Sequence, residues 1–141
     1  MTGGKADSVS ISEAVVAAMI AHARDEAPRE CCGLLVGEVG EIDEAVRTTN
    51  LETGTTRYLI DPAQHFATIK RLRGTPKDVI GAYHSHPGSP AKPSPTDLAE
   101  AAGEGFLYVI VSLAEPERPD VRGYTIRNGE SREVPLRVTG A

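Results

Sequence analysis

The chain has 141 residues, 40% hydrophobic and 25% charged, with a formal net charge of −5. That length suits one domain, 1–141, with a single core that buries about two thirds of the surface an unfolded chain exposes, and the acidic balance excludes the basic footprint of a nucleic-acid binder. No run approaches the ~20 apolar residues that span a bilayer and Met1 to Ser8 lacks the apolar core of a secretory signal, so a cytoplasmic protein with flexible ends at 1–9 and 139–141 is expected.

The first expected element is a helix from about Ile11 to Glu26. Ser10 and Glu13 have capping-box spacing, and Val15, Val16, Met19, Ile20 and Ala23 form an apolar stripe at helical period. His22 falls off the centre of that stripe and reads as a surface or boundary histidine. Ala27-Pro28-Arg29 stops the helix. Glu30-Cys-Cys-Gly-Leu-Leu-Val-Gly37 then reads as a buried strand with Glu30 at its entrance, where Gly33 and Gly37 mark bulges or a close backbone approach. Cys31 and Cys32, the only cysteines, face opposite ways as strand neighbours, which predicts buried free thiols in place of a disulfide, with Cys32 on the face of Glu30.

A turn around Gly40 leads into a second strand, Ile42 to Thr48, antiparallel to the first. Asn50 to Thr56 is a polar loop and Arg57 to Ile60 a short strand. Asp61-Pro62 opens a helix with Gln64 at the capping-box position and Phe66, Ile69 and Leu72 on one face, ending near Gly74. His65, in its first turn, reads as a surface or capping residue.

Asp78-Val-Ile-Gly-Ala-Tyr83 reads as a strand running into His84-Ser-His86. Residues two apart share a face, so both imidazoles aim at one point while Ser85 faces away. Ten residues of Gly- and Pro-rich chain separate His86 from Asp97, enough to fold back. Ser94-Pro95-Thr96-Asp97 is a helix start, with Ser94 as N-cap, Pro95 in the first helical position and Asp97 near the positive helix end; the helix is expected to reach about Ala102. Alone, the S-x-x-D reads as a cap and the H-x-H as two satisfied histidines. Their conjunction in one strand-turn-helix unit supplies two nitrogens and a carboxylate oxygen, a donor set suited to zinc with a fourth position left for water.

Phe106 to Leu113 is a continuous apolar run that suits a central strand. The loop Ala114 to Asp120 follows, and Asn128-Gly129 between Val121–Arg127 and Glu130–Val138 is a hairpin signal. Helices mixed with strands and hairpins predict an α/β fold, a mixed β-sheet flanked by helices.

His84-Ser-His-Pro87, six further residues, then Ser94-Pro-Thr-Asp97 resembles the JAMM (MPN-plus) metalloprotease signature H-x-H-P-x(6)-S-x-x-D. Glu30 to Gly37 resembles the segment that carries that family's catalytic glutamate. The resemblance implies a cytidine-deaminase-like JAMM/MPN fold and one zinc ion per chain, held by His84, His86 and Asp97. It implies Glu30 as general base and Ser94 as a stabiliser of the tetrahedral intermediate, although one hydroxyl is then asked to serve as both cap and oxyanion contact. The implied activity is a zinc-dependent (iso)peptidase cutting the amide bond after the C-terminal Gly-Gly tail of a ubiquitin-like or sulfur-carrier protein, releasing cysteine or another amine. The short loops at 50–56 and 114–120 argue against elaborate recognition of ubiquitin chains. A deubiquitinase-like isopeptidase acting on larger conjugates and a non-catalytic MPN-type interaction module are the alternatives. An amidohydrolase barrel needs ~250 residues, and a deaminase needs a P-C-x-x-C pair that this sequence lacks.

Overall fold

The computed structural model describes residues 8–101 and 105–140. Among them the order is β1 (Val9–Ser12), α1 (Glu13–Glu26), β2 (Cys32–Glu38), β3 (Glu41–Thr48), α2 (Pro62–Leu72), β4 (Asp78–His86), α3 (Pro95–Ala99), β5 (Leu107–Ser112), β6 (Asp120–Arg127), β7 (Glu130–Val134) and β8 (Leu136–Thr139). The strands form one mixed sheet in the order β7-β6-β5-β4-β2-β3-β1-β8. β4 runs parallel to β5, and β1 runs parallel to both β3 and β8; the remaining neighbours are antiparallel.

The two ends of that order are joined by a single residue, Pro135. A flat sheet with strands about 4.8 Å apart would hold its outermost strands roughly 34 Å from each other, a gap that one residue cannot bridge. The sheet therefore curls until its ends meet. At the seam the Val9 amide donates to the Pro135 carbonyl at 3.0 Å, and Leu136 packs over Gly123 of β6, where an added Cβ would sit 2.9 Å from the leucine Cδ2.

α1 fills the concave side. Ser12 caps it, its hydroxyl accepting from the Val15 amide at 3.1 Å. Val15, Met19, His22 and Ala23 are buried on one face, and the apolar members pack with Ile11, Leu35, Tyr83, Val109 and Val111 in the main core. Each fully buried large side chain of this kind contributes about 1.5–3 kcal/mol. Gly33 belongs to the same packing: a Cβ there would lie 2.3 Å from the Tyr83 ring and 2.5 Å from the Val46 carbonyl oxygen. The register shift between Val36 and Gly37 is the bulge expected of the second glycine.

Several expectations are corrected. Residues 9–12 are captured between β3 and β8 as a parallel strand, so α1 begins at Glu13 and Ser12 takes the capping role assigned to Ser10. Val9 and Thr139 lie in paired strands and are not loose ends. Glu130 to Val138 is two strands, because Pro135 has no amide hydrogen to continue a ladder and turns the chain across the seam. His22 is buried, its Nδ1 2.7 Å from the Tyr83 hydroxyl. In α2, Thr68 and Leu72 are buried while Phe66 and Ile69 are exposed, and Gln64 spends its side chain on Thr49 instead of a capping box. Arg57 to Ile60 is not a strand; it holds one bridge, between Asn50 and Ile60. α3 ends at Ala99 with Glu100 as its C-cap, and Ala102 lies outside the described residues.

Candidate metal centre

β4 lies in the middle of the sheet, and its C-terminal end carries His84 and His86 on the face away from α1. Ser85, between them, points to the other side, where its hydroxyl accepts from the Cys31 amide at 2.8 Å; the Ser85 amide donates to the Cys31 carbonyl at 3.1 Å. Those two bonds tie the entrance of β2, and with it Glu30, to the histidine strand. α3 then delivers Asp97 by a capping box: the Ser94 hydroxyl accepts from the Asp97 amide at 3.0 Å, and Asp97 Oδ2 accepts from the Ser94 amide at 2.9 Å.

Three atoms converge. His84 Nε2 and His86 Nε2 are 3.2 Å apart, and Asp97 Oδ2 lies 3.2 Å from the first and 3.1 Å from the second. This nearly equilateral triangle can be tested against a zinc ion. Tetrahedral zinc with ligand bonds of about 2.0 Å sets its donor atoms about 3.3 Å apart, so the triangle matches one face of such a tetrahedron. Two imidazole nitrogens and a carboxylate oxygen are the donor types zinc prefers, and the three side chains are at most 8% exposed.

The three donors differ in their electrostatic setting in the metal-free protein. Burial lowers the pKa of His84, keeping it neutral against the pull of Asp97. For His86 burial acts in the same direction, but its contacts with Asp97 and the Pro90 carbonyl outweigh it and raise the pKa. The His86 Nδ1 donates to Pro90 at 2.8 Å, which leaves the Nε2 lone pair facing the triangle. Burial opposes charge on Asp97 too, yet the two histidines and the Ser94 amide hold its carboxyl well below the usual carboxylate range.

Glu30 precedes β2 and is only 5% exposed. Burial pushes its carboxyl up to about 7, with His86 opposing and Asp97 reinforcing the rise. Its Oε1 has no hydrogen-bond partner among the described residues. Glu30, His86 and Ser94 line one cleft of about 570 Å³, together with Thr55 and Thr56. A second cleft of about 420 Å³ lies on the Asp97 side, lined by Leu34, Tyr58, Phe106 and Tyr108. Ser94 fills the cap position, its oxygen accepting from the Asp97 amide, and it also lines the first cleft.

Both cysteines are free and buried, as expected. Burial pushes the Cys31 thiol up to about 12 and raises Cys32 as well. Cys32 sits opposite His84 on the neighbouring strand, but its sulfur is engaged with Thr48 and Thr49 at the end of β3. The sequence reading missed Asn50 and Tyr58. Asn50 is buried in a segment read as a polar loop, and its side chain makes four hydrogen bonds, one to the Glu30 carbonyl at 2.9 Å. Tyr58 lies face to face with the His84 ring, centroids 4.4 Å apart and planes 22° from parallel. No local pattern announces either role.

A curled mixed sheet around one helix, with two histidines and a buried glutamate at the ends of its central strands and an aspartate brought to them by a short helix, defines an MPN-type domain built around a metal site. The model of the family described as prokaryotic homologues of the JAB domain matches residues 12–126, and the chain belongs to that family. It is 34% identical over 126 residues to the CysO-cysteine peptidase of Mycobacterium tuberculosis, covering 88% of this chain and 86% of that protein. It is 38% identical over 119 residues to the probable TtuB-protein conjugate cleaving protease of Thermus thermophilus, covering 84% and 74%. The crystal structure of a JAB1/MPN domain protein from Archaeoglobus fulgidus superposes with a TM-score of 0.61 at 25% identity, covering 94% of this chain and 98% of that one.

Proposed function

We propose that residues 1–141 form one zinc metallopeptidase domain that hydrolyses the amide bond after the Gly-Gly tail of a small ubiquitin-like or sulfur-carrier protein, releasing cysteine or another small amine. The observation that carries this reading is the His84, His86 and Asp97 triangle beside the unpartnered buried carboxyl oxygen of Glu30. His84, His86 and Asp97 would hold the zinc, which supplies Lewis acidity toward a water and a carbonyl oxygen. Glu30 takes the proton of the attacking water and hands it to the departing amine, and the burial that raises its carboxyl in the metal-free protein favours the uptake half of that exchange. Ser94 donates its hydroxyl hydrogen to the developing oxyanion while Asp97 fixes the oxygen from behind.

The clefts on either side of the triangle support the choice of substrate. The donor atoms are nearly covered, so the residues next to the scissile bond must be slim, which favours glycine. The relative named CysO-cysteine peptidase supports a small carrier joined to cysteine. The relative named for cleaving TtuB-protein conjugates supports a second reading, an isopeptidase for larger conjugates. No helix among the described residues is long and apolar enough to cross a membrane, and the proposed location is the cytoplasm.

Mass spectrometry on two substrates tests the reading: a Gly-Gly-tailed carrier ending in cysteine, and a lysine-linked dimer of ubiquitin. Faster release of cysteine is the expected result. Preferential cleavage of the dimer would move the function to the isopeptidase reading, and cleavage of neither by zinc-loaded protein would leave a binding module.

A further inference from the structure

The two histidines of the triangle are held in different ways. A metal-bound imidazole ordinarily has its second nitrogen fixed by a hydrogen bond, which sets ring orientation and basicity. His86 follows this rule through Pro90. His84 does not: its Nδ1 is buried and has no hydrogen-bond partner among the described residues. The side chain is nevertheless only 2% exposed and must keep one plane if its Nε2 is to stay at the triangle. The aromatic face of Tyr58 lies against it.

Tyr58 is held in place as well. The residues on either side of it are gripped by one side chain, since Asn50 Nδ2 donates to the Arg57 carbonyl at 3.2 Å and Asn50 Oδ1 accepts from the Leu59 amide at 2.9 Å. The Leu51 amide donates to the Leu59 carbonyl, and Arg57 pairs with Glu100 beyond α3. The same Asn50 Nδ2 reaches the Glu30 carbonyl. One buried amide thus fixes the tyrosine in the frame that holds the glutamate.

We propose that Tyr58 is a positioning residue for the metal centre, its stacked ring holding the His84 imidazole in the role that a hydrogen bond plays for His86. The inference rests on the reading of His84, His86 and Asp97 as metal ligands. Its mechanism is steric and electronic, through the ring face, and does not need the phenolic hydroxyl. Removing a hydrogen-bonding partner of a ligating histidine typically weakens metal binding about 10- to 100-fold, and loss of the stacked ring is expected to act at the lower end of that range.

Zinc affinity, measured by competition with a chromophoric chelator, separates the outcomes without recourse to catalysis. Tyr58→Leu keeps His84 covered but removes the aromatic face, and should bind zinc about tenfold more weakly. Tyr58→Phe should bind like wild type. Metal-free melting curves report whether each variant folds, and Tyr58→Met is a second unstacked variant if the leucine protein does not. Wild-type affinity in the folded unstacked variant would overturn the proposal, as would an equal loss in Tyr58→Phe. Asp97→Ala is the control for the underlying reading: full zinc affinity there would overturn the ligand assignment itself.

Discussion

Replacing Glu30 by glutamine should move activity and stability in opposite directions. The substitution preserves shape but removes the ability to accept a proton, so turnover should fall by about 10²-fold or more. Stability depends on the cost of keeping this carboxylate ionised in a buried place. The displacement from an ordinary 4.5 to about 7 corresponds to an upper bound of ~3–4 kcal/mol, and cleft water reduces the expected gain to about 1–2 kcal/mol. The sign follows from proton linkage. Below pH 4.5 the carboxyl is protonated in folded and unfolded chains alike, and the two proteins differ little. Between pH 4.5 and 7 the folded chain keeps a proton that the unfolded chain has released, so wild type loses stability as pH rises, and above 7 the full penalty stands. Urea unfolding of metal-free wild type and Glu30→Gln at pH 5 and pH 8, paired with turnover of the zinc-loaded proteins, measures both effects. Near-normal turnover in the zinc-loaded variant would refute the general-base role, and a variant less stable than wild type at pH 8 would refute the desolvation argument.

Gly33→Ala should destabilise the fold by about 3 kcal/mol, at the upper end of overpacking costs, because its Cβ would enter the Tyr83 ring and approach the Val46 carbonyl; a melting temperature equal to wild type would refute the close approach. His22 makes a pH prediction of the other sign. Burial foremost, and Arg47, lower its pKa, so its contribution to stability is complete above 6.5 and drains as pH falls from 6.5 toward the lowered folded value, where the unfolded chain binds the proton first. Unfolding of metal-free wild type and His22→Gln at pH 7.5 and 5.5 should show the larger loss in wild type, and identical losses would refute the assignment.

The parts of the site legible in the sequence are those written in local chain geometry. His84 and His86 share a face because a strand alternates, and Asp97 arrives where its capping box puts it. Glu30 was legible only through resemblance, for a glutamate before a strand carries no chemistry of its own. Its setting comes from Ser85 and Asn50, far along the chain. The same division runs through the fold. β2, β3 and the β6–β7 hairpin follow from alternation and turn residues, the Asn128-Gly129 turn having φ of 53° and 76°. β1 depended on partners in β3 and β8 that no window around Val9 contains. Tyr58 sits in an extended segment of nearly strand-like composition, and contacts distant in sequence, the Asn50 grip among them, hold the segment where its ring meets His84.

The seam at Pro135 also bears on how the molecule is made. β1 emerges from the ribosome before the other described elements, yet one of its two partners is β8, the last strand described, so half of its ladder waits for residues 136–139. β2, β4 and β5, which carry or flank the proposed ligands and Glu30, can pair well before then. A nascent chain could therefore assemble its chemistry early and close its ring last, and stalled or truncated products lacking β8 would leave β1 with a bare edge, the kind of surface that recruits stray strands.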